Sequence, residues 1–202
     1  MSMSIDQIRE GLDCGRIVMA DFLAMRQALR APFRFHPLGF VACTLLTEGS
    51  IKLRLHYWPV HGGVQQSSDC QIHDHLFNFQ SWVLSGAIEN IEYERSEVGK
   101  EYSVYETEYR DDQSILTKTG QLIHLVEQGR AVFKEGESYS IAAGTLHETG
   151  RVGGSPACTV LIASDVSSTA PLVLGSKAGL DRYSYTRSVV EEAIVERLLA
   201  AA

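Results

Sequence analysis

The central part of the chain, from about residue 39 to residue 164, reads as a series of short β-strands with no helix between them. Six segments are rich in β-branched and aromatic residues and are separated by Gly, Ser and Asp turns: GFVACTLLT, SIKLRLHYW, AIENIEYER, EYSVYETEY, QLIHLV and ACTVLIAS. Several alternate with period two. In KLRLHYW one face carries Lys52, Arg54, His56 and Trp58, and the other carries Leu53, Leu55 and Tyr57. This pattern predicts an all-β sandwich or a closed barrel.

The two ends of the chain have helical patterns instead. Ser4 and Gln7 fit a capping box that begins a short helix, and a second apolar helical face follows and ends at Pro32. Near the other end, Ser188 and Glu191 fit another capping box before an apolar stripe. The ends therefore predict helices that pack on the outside of the β-domain.

Composition places the chain among soluble globular proteins. It has 202 residues, of which 45% are hydrophobic and 21% charged, which fits one domain. The net charge of -7, without a basic cluster, argues against a nucleic-acid or membrane partner. Scattered cysteines, with no signal peptide and no long apolar run, predict reduced thiols and a cytoplasmic protein. We divide the single domain, 1–202, into a helical segment at 1–32, a β-barrel at 39–165 and a C-terminal helix at 186–202.

Two histidines lie one residue apart in the stretch CQIHDHLFNFQSWVLSG. On a strand, His73 and His75 leave the same face about 7 Å apart, where two imidazoles can chelate one divalent ion. An isolated H-x-H pattern often occurs by chance, without a metal site. Its surroundings favour the metal interpretation, because Gln80 and the turn residue Gly86 follow, and GESYSIAAGTLHET later leads through a small turn to His147.

These two stretches resemble the paired motifs of the cupin superfamily over roughly residues 39–165. In this chain the motifs are His73-Asp-His75-x4-Gln80-x5-Gly86 and Gly136-x5-Ala142-x-Gly144-x2-His147. The resemblance implies a double-stranded β-helix, or jelly-roll barrel, with a metal ion in its mouth. It also implies three histidine ligands, His73, His75 and His147. Gln80 replaces a glutamate ligand of many cupins, and is either a weak fourth ligand or a partner of a bound water or substrate.

Three neutral imidazoles would leave open positions on the ion for substrate, water or dioxygen. Imidazole suits several transition metals, and we expect Fe(II), with Zn, Ni, Mn or Cu as other metals that would fit. His61, in the segment PVHGG, is interpreted as a loop residue and not as a ligand.

Within the superfamily, the segments LRLHYWPVHGG and IHDHLFNFQSWVLSGAIEN are most similar to the cysteine dioxygenase-like group, or thiol dioxygenases. That resemblance implies iron-dependent oxygenation of a thiol to a sulfinate. The Ser-His-Tyr series of thiol dioxygenases is absent here, since the matching strand offers Thr159, Leu161 and Ala163.

Two further residues are candidates for catalysis. Tyr139, eight residues before His147, is a candidate for proton transfer, and the alternative is a tyrosine that only packs. Arg54 would anchor an anionic substrate if its strand face lines the cavity, and would be solvated if that face points outward.

The leading hypothesis is a metal-dependent cupin enzyme, a non-haem iron dioxygenase of the cysteine dioxygenase-like type that acts on a small polar organic substrate and O2. Two alternatives stay open. One is a metal-dependent lyase or isomerase with the same ligands, and the other is a cupin that binds a small ligand without chemistry. Because cupins often dimerise through their outer sheets, we expect a homodimer.

Overall fold

The computed structural model describes residues 3–60, 69–165 and 171–200, and His61 lies outside these ranges. The N-terminal half contains α1 (Ile5–Asp13), α2 (Met19–Leu29), β1 (Arg34–Phe35), β2 (Val41–Glu48), β3 (Ile51–Trp58), β4 (Ile72–His73), β5 (Phe77–Ser85) and β6 (Ala87–Arg110). The C-terminal half contains β7 (Gln113–Lys134), β8 (Ser138–Ile141), β9 (Leu146–Arg151), β10 (Ala157–Asp165), β11 (Val173–Ser176), β12 (Arg182–Thr186) and α3 (Glu192–Ala200).

The strand order is that of a jelly roll. Two antiparallel sheets have the orders β1-β2-β3-β10-β5-β8 and β11-β4-β9-β6-β7-β12. From β3 to β10, successive strands cross from one sheet to the other at every step except the β6–β7 hairpin. This connectivity is the double-stranded β-helix. The prediction of an all-β barrel with N-terminal helices and a C-terminal helix is therefore confirmed.

The largest apolar core lies outside the barrel, between the helices and the first sheet. Leu53 and Leu55 of β3 are fully buried there, in one cluster with residues of all three helices. The Tyr57 hydroxyl donates a hydrogen bond of 2.5 Å to the carbonyl of Leu198 in α3. The predicted apolar face of β3 therefore points away from the barrel interior, because the helices cover it.

The polar face of β3 consequently points into the barrel. Arg54, His56 and Trp58 all line the interior cavity. In an ordinary half-buried strand the polar face meets bulk water. Here the helices take up the apolar face, so the polar face is available to build an internal site.

The first predicted helix has the expected cap, whereas the last one begins later than predicted. Ser4 is the N-cap of α1 and forms a capping box with Gln7. At the other end, the capping box at Ser188 does not form, because the Ser188 carbonyl accepts a hydrogen bond from the Phe35 amide. The chain stays extended beside β1, and α3 begins only at Glu192, which corrects the predicted helix at 186–202. Within the described ranges, no helix has the length and apolar character to cross a membrane.

Strands β6 and β7 form one long hairpin. They contain 24 and 22 residues and pair with each other, with a break in register between Arg95 and Lys100. AIENIEYER and EYSVYETEY, predicted as separate strands, are the two halves of β6. The near half pairs with β9, whereas the far half pairs with β11, and β12 pairs with the start of β7. The end of the hairpin near its turn thereby brings Thr107 of β6 and Ser114 of β7 to the barrel cavity.

Gly86, between β5 and β6, offers a test of this packing. Its φ is +74°, and a Cβ there would lie 2.9 Å from the Cα of Ala157. Gly153 has a similar φ of +78° but has no atom within 4 Å of the same position, so Gly153→Ala is a matched control. We expect Gly153→Ala to cost about 1–2 kcal/mol for the left-handed backbone. Gly86→Ala should cost about 1–3 kcal/mol more for the clash. Urea unfolding measures both, and equal losses would contradict the close approach.

Candidate metal centre

Three histidines converge inside the barrel. His73 on β4 lies directly opposite His147 on β9, and His75 follows in the segment after β4. One ring nitrogen from each lies within 4.8 Å of the others. The ring centroid of His73 lies 4.7 Å from that of His75 and 4.7 Å from that of His147. The structure thus brings together the three histidines that the sequence predicts as ligands.

Hydrogen bonds orient two of these rings for metal binding. The Nδ1 of His73 lies 2.9 Å from the carbonyl oxygen of Gln71, and the Nδ1 of His147 lies 3.1 Å from that of Thr145. A carbonyl oxygen only accepts, so each Nδ1 carries the proton and donates it. The Nε2 lone pair of each ring is left for an ion.

Burial keeps the cluster in the uncharged form that a metal requires. It lowers the pKa of His73 and His75 below the ordinary value, and it lowers the pKa of His147 to about 3. Neutral imidazoles are ligands for iron, zinc, copper and nickel. The donor set therefore fits a divalent transition metal, with His73, His75 and His147 as the residues that would hold it.

Aromatic side chains form one wall of the cluster. The His75 ring stacks on Phe77, with centroids 4.5 Å apart and an interplanar angle of 19°. Phe79 meets His75 edge-on at 5.4 Å and lies 6.0 Å from His147. These rings restrict the orientation of the imidazoles and reduce the access of water from this side.

Gln80 is not positioned to take part in the cluster, which corrects the expectation from the motif. Phe77, Phe79 and Ser81 on β5 all line the cavity. Gln80 lies between them on the opposite face, in a separate surface groove with Arg9. The reason is the period of two along a strand, which turns the side chain of every second residue away from the interior.

Tyr139 lies in the cavity, on the strand next to Phe79. It pairs with Ser81 across β8 and β5, and Ser81 and Thr149 line the same cavity. Its ring stacks on Phe133 at 4.6 Å. Because burial raises the pKa of Tyr139, the phenol is protonated at neutral pH and serves as a hydrogen-bond donor.

Arg54 lines the same cavity as the histidines, so of its two predicted environments the interior one is observed. Burial, and then the positive charge of Arg187, lower its pKa. Arg187 was not predicted from the sequence. It lies just after β12 and faces the same space, together with His36, Thr107 and Ser114.

Cys70 also borders the cavity, but it is not part of the group whose ligand atoms lie within 4.8 Å of one another. Burial raises the pKa of its thiol to about 12, so without a metal the thiol is protonated at neutral pH. All four cysteines are free. The histidine cluster therefore has no competing thiolate beside it among the described residues.

The space in front of the histidines is small. It encloses about 150 Å³ and continues from the cluster to the two arginines. Sites for drug-sized ligands usually measure about 300–1,000 Å³. The cavity therefore fits a small molecule of a few heavy atoms.

Comparisons with known proteins yield similar folds and no family. No family model matches the chain, and no curated protein matches it. Among solved structures, the DMSP lyase DddQ from Ruegeria pomeroyi DSS-3 has a TM-score of 0.44 and 15% identity, over 75% of this chain and 64% of that one. The hydroxypropylphosphonic acid epoxidase from S. wedmorenis has a TM-score of 0.40 and 12% identity, over 66% and 55%.

An RmlC-like cupin protein from Ralstonia eutropha JMP134 has a TM-score of 0.39 and 12% identity, over 84% of this chain and 80% of that one. The aligned part of this chain spans less than two thirds of the length of the DMSP lyase (64%) and of the epoxidase (55%). The strand order of the barrel, and not these similarities, establishes the fold.

The metal centre predicts how three variants differ in metal binding. His75→Ala should remove most of the bound Fe(II) or Zn, because two imidazoles hold such ions much more weakly than three. Gln80→Ala should bind as much metal as the wild type, since its side chain lies on the other face. His124→Ala, on β7 outside the cluster, is the matched histidine control. Metal content by plasma mass spectrometry after reconstitution and gel filtration measures all three, and metal loss in Gln80→Ala would contradict the assignment.

Proposed function

We propose that the protein is a metal-dependent enzyme that converts a small polar organic substrate, with Fe(II) as its metal and O2 as its second substrate. The observation that carries this proposal is the cluster of His73, His75 and His147, whose ligand atoms lie within 4.8 Å of one another beside a small cavity. Three neutral ligands from a barrel interior leave room for further molecules on the ion.

Iron in such a site supplies the redox chemistry that lets O2 react with an organic molecule. The chain itself holds the substrate next to the cluster and limits water. Phe77, Phe79 and Leu161 give the inner cavity an apolar wall. Tyr139 provides a protonated hydroxyl that can donate a hydrogen bond to a substrate atom in the same cavity.

The proposed reaction is of the cysteine dioxygenase-like type, in which O2 is used directly, but the substrate need not be a thiol. In this chain, β10 corresponds to the strand that carries the Ser-His-Tyr series in thiol dioxygenases. The residues of β10 that face the cavity here include Thr159 and Leu161. Leu161 is apolar and cannot exchange protons. We therefore propose a small polar organic molecule as the substrate class.

A second candidate is a metal-dependent lyase or isomerase. It is favoured by the buried Nε2 of His56, which has no hydrogen-bond partner within the described part of the chain and lies in the same cavity as Tyr139. A buried imidazole and a phenol near a Lewis-acidic ion are groups that proton transfer requires. In this case turnover would not need O2.

One experiment separates these functions. The protein is loaded with Fe(II) under anaerobic conditions and mixed with a panel of small carboxylic acids, thiols and diols, first without O2 and then with O2 added. Product mass is recorded under both conditions, and O2 consumption under the second. O2 uptake that depends on one substrate and is absent in His75→Ala supports the dioxygenase. Product formed without O2, and with Zn in place of Fe, indicates the lyase or isomerase. Ligand binding with no product from any panel member would instead indicate the binding protein.

Tyr139→Phe tests the role of the phenol once a substrate is found. We expect normal metal content and a kcat lower by on the order of 100-fold, as is typical when a proton-transfer group is lost. Tyr102→Phe, outside the cavity, is the control and should retain full activity. A Tyr139→Phe enzyme with unchanged kcat would show that Tyr139 only packs.

A further inference from the structure

Two arginines share the cavity with the histidine cluster, and neither has an acidic partner. Arg54 comes from β3 and Arg187 follows β12. Within residues 3–60, 69–165 and 171–200, no carboxylate forms an ion pair with either guanidinium. The positive charge of Arg187 even acts on Arg54, since it lowers the pKa of Arg54. Both arginines are half-buried, and charges of one sign that share a confined space normally gain from a compensating group.

The same region contains hydrogen-bond donors without a partner. The Nε of Arg187, the Oγ1 of Thr107 and the Oγ of Ser114 are all buried, and none has a hydrogen-bond partner among the residues that the structure describes. The Ser114 side chain is only 2% exposed. Leaving such a group unpaired costs about 1–3 kcal/mol, so these positions are places where a ligand atom would be stabilised.

Among the described residues, the one acidic side chain that borders this cavity is that of Asp74. It accepts a hydrogen bond of 2.6 Å from the amide of Leu172 and forms no ion pair with either arginine. Two guanidinium groups against one carboxylate leave this part of the cavity with an excess of positive charge, which a bound metal ion would increase.

We propose that this part of the cavity is a carboxylate subsite, formed by Arg54 and Arg187 with the hydroxyls of Thr107 and Ser114. The ligand is a small carboxylic acid whose acid group binds between the arginines while the rest of the molecule extends toward the three histidines. That this acid is the substrate rests on the proposed function, whereas the anion subsite itself does not require the metal.

A carboxylate fits these donors well. Arginine binds carboxylates through two parallel N–H bonds, and hydroxyl groups can donate to the remaining lone pairs. Tyr109 helps to hold Arg187 in place, because its ring lies 5.2 Å from the guanidinium carbon, within the range of a cation–π contact. With about 150 Å³ available, an acid of a few carbon atoms is the size that the cavity accepts.

The subsite also gives a role to the far half of the long hairpin and to the segment after β12. Thr107 and Ser114 lie on the far half of the β6–β7 hairpin, and Arg187 directly follows β12, which pairs with that hairpin. Together with Arg54 on β3, three separate segments thus converge on one binding position. Their contribution is to select the substrate, while β4, β9 and the segment after β4 provide the histidines.

Calorimetric titration with malonate and succinate tests the subsite directly. The diamides malonamide and succinamide, which have the same shape without charge, serve as control ligands. Both acids are titrated into the metal-free and the Zn-loaded protein and into Arg54→Gln, Arg187→Gln, Ser114→Ala and Arg182→Gln. Arg182 lies on β12 but does not line the cavity, so Arg182→Gln controls for the loss of an exposed arginine. Thermal unfolding verifies that each variant is folded.

We expect at least one acid to bind and both diamides not to bind. Each of Arg54→Gln and Arg187→Gln should weaken binding of the acid by on the order of tenfold to a hundredfold, and Ser114→Ala by a smaller factor. Arg182→Gln should bind like the wild type. Methylphosphonate is titrated in the same way, as an anion of another class. The subsite is overturned if neither acid binds, if the arginine variants bind like the wild type, or if methylphosphonate binds more tightly than both acids.

The metal content of the same samples separates this inference from the proposed function. Acid binding by a protein that takes up no metal would retain the subsite and overturn the metal-dependent enzyme. If the protein binds one metal ion per chain but neither acid, the subsite is overturned and the metal centre is supported.

Discussion

The pairing of β4 with β9 is the constraint on which the site depends. It places His73 directly opposite His147, although they are 74 positions apart in the chain. The backbone carbonyls of Gln71 and Thr145 then fix the Nδ1 of each ring, so both Nε2 atoms are left for the same ion. A shift of one residue in this register would turn one imidazole to the outer face of the sheet. The sheet geometry thus provides the ligand geometry.

The second feature that makes the site possible is the polarity of β3, which is inverted relative to a solvent-facing strand. Its apolar residues pack under the helices, and its polar residues, Arg54 and His56 among them, face the interior. Polar groups inside a barrel are costly to bury without partners. The apolar core between the first sheet and the three helices offsets that cost. Most of the apolar packing thus lies between the helices and the outer face of the first sheet, and the inner face of that sheet can carry polar residues.

Period-two alternation and two short motifs were sufficient to predict the barrel and the histidine cluster. The same alternation, applied to β5, would have excluded Gln80, which lies five positions after His75 and so on the opposite face. Arg187 and Thr107 were missed because their approach to the cavity depends on the long hairpin and on β12, and local pattern carries no signal for such contacts. The late start of α3 at Glu192 has a similar cause, since pairing with β1 overrides the local capping pattern. The homodimer and the cytoplasmic location stay predictions from the sequence.

X-ray absorption spectroscopy of the Zn-loaded protein tests the central claim, that three histidines and no other side chain hold the ion. The account predicts a first shell of nitrogen and oxygen at about 2.0–2.1 Å with the outer-shell scattering of three imidazoles. Added succinate should change only the remaining, non-imidazole positions or leave the shell intact. A sulfur shell at about 2.3 Å, which Cys70 would produce, or scattering from fewer than three imidazoles would contradict the account.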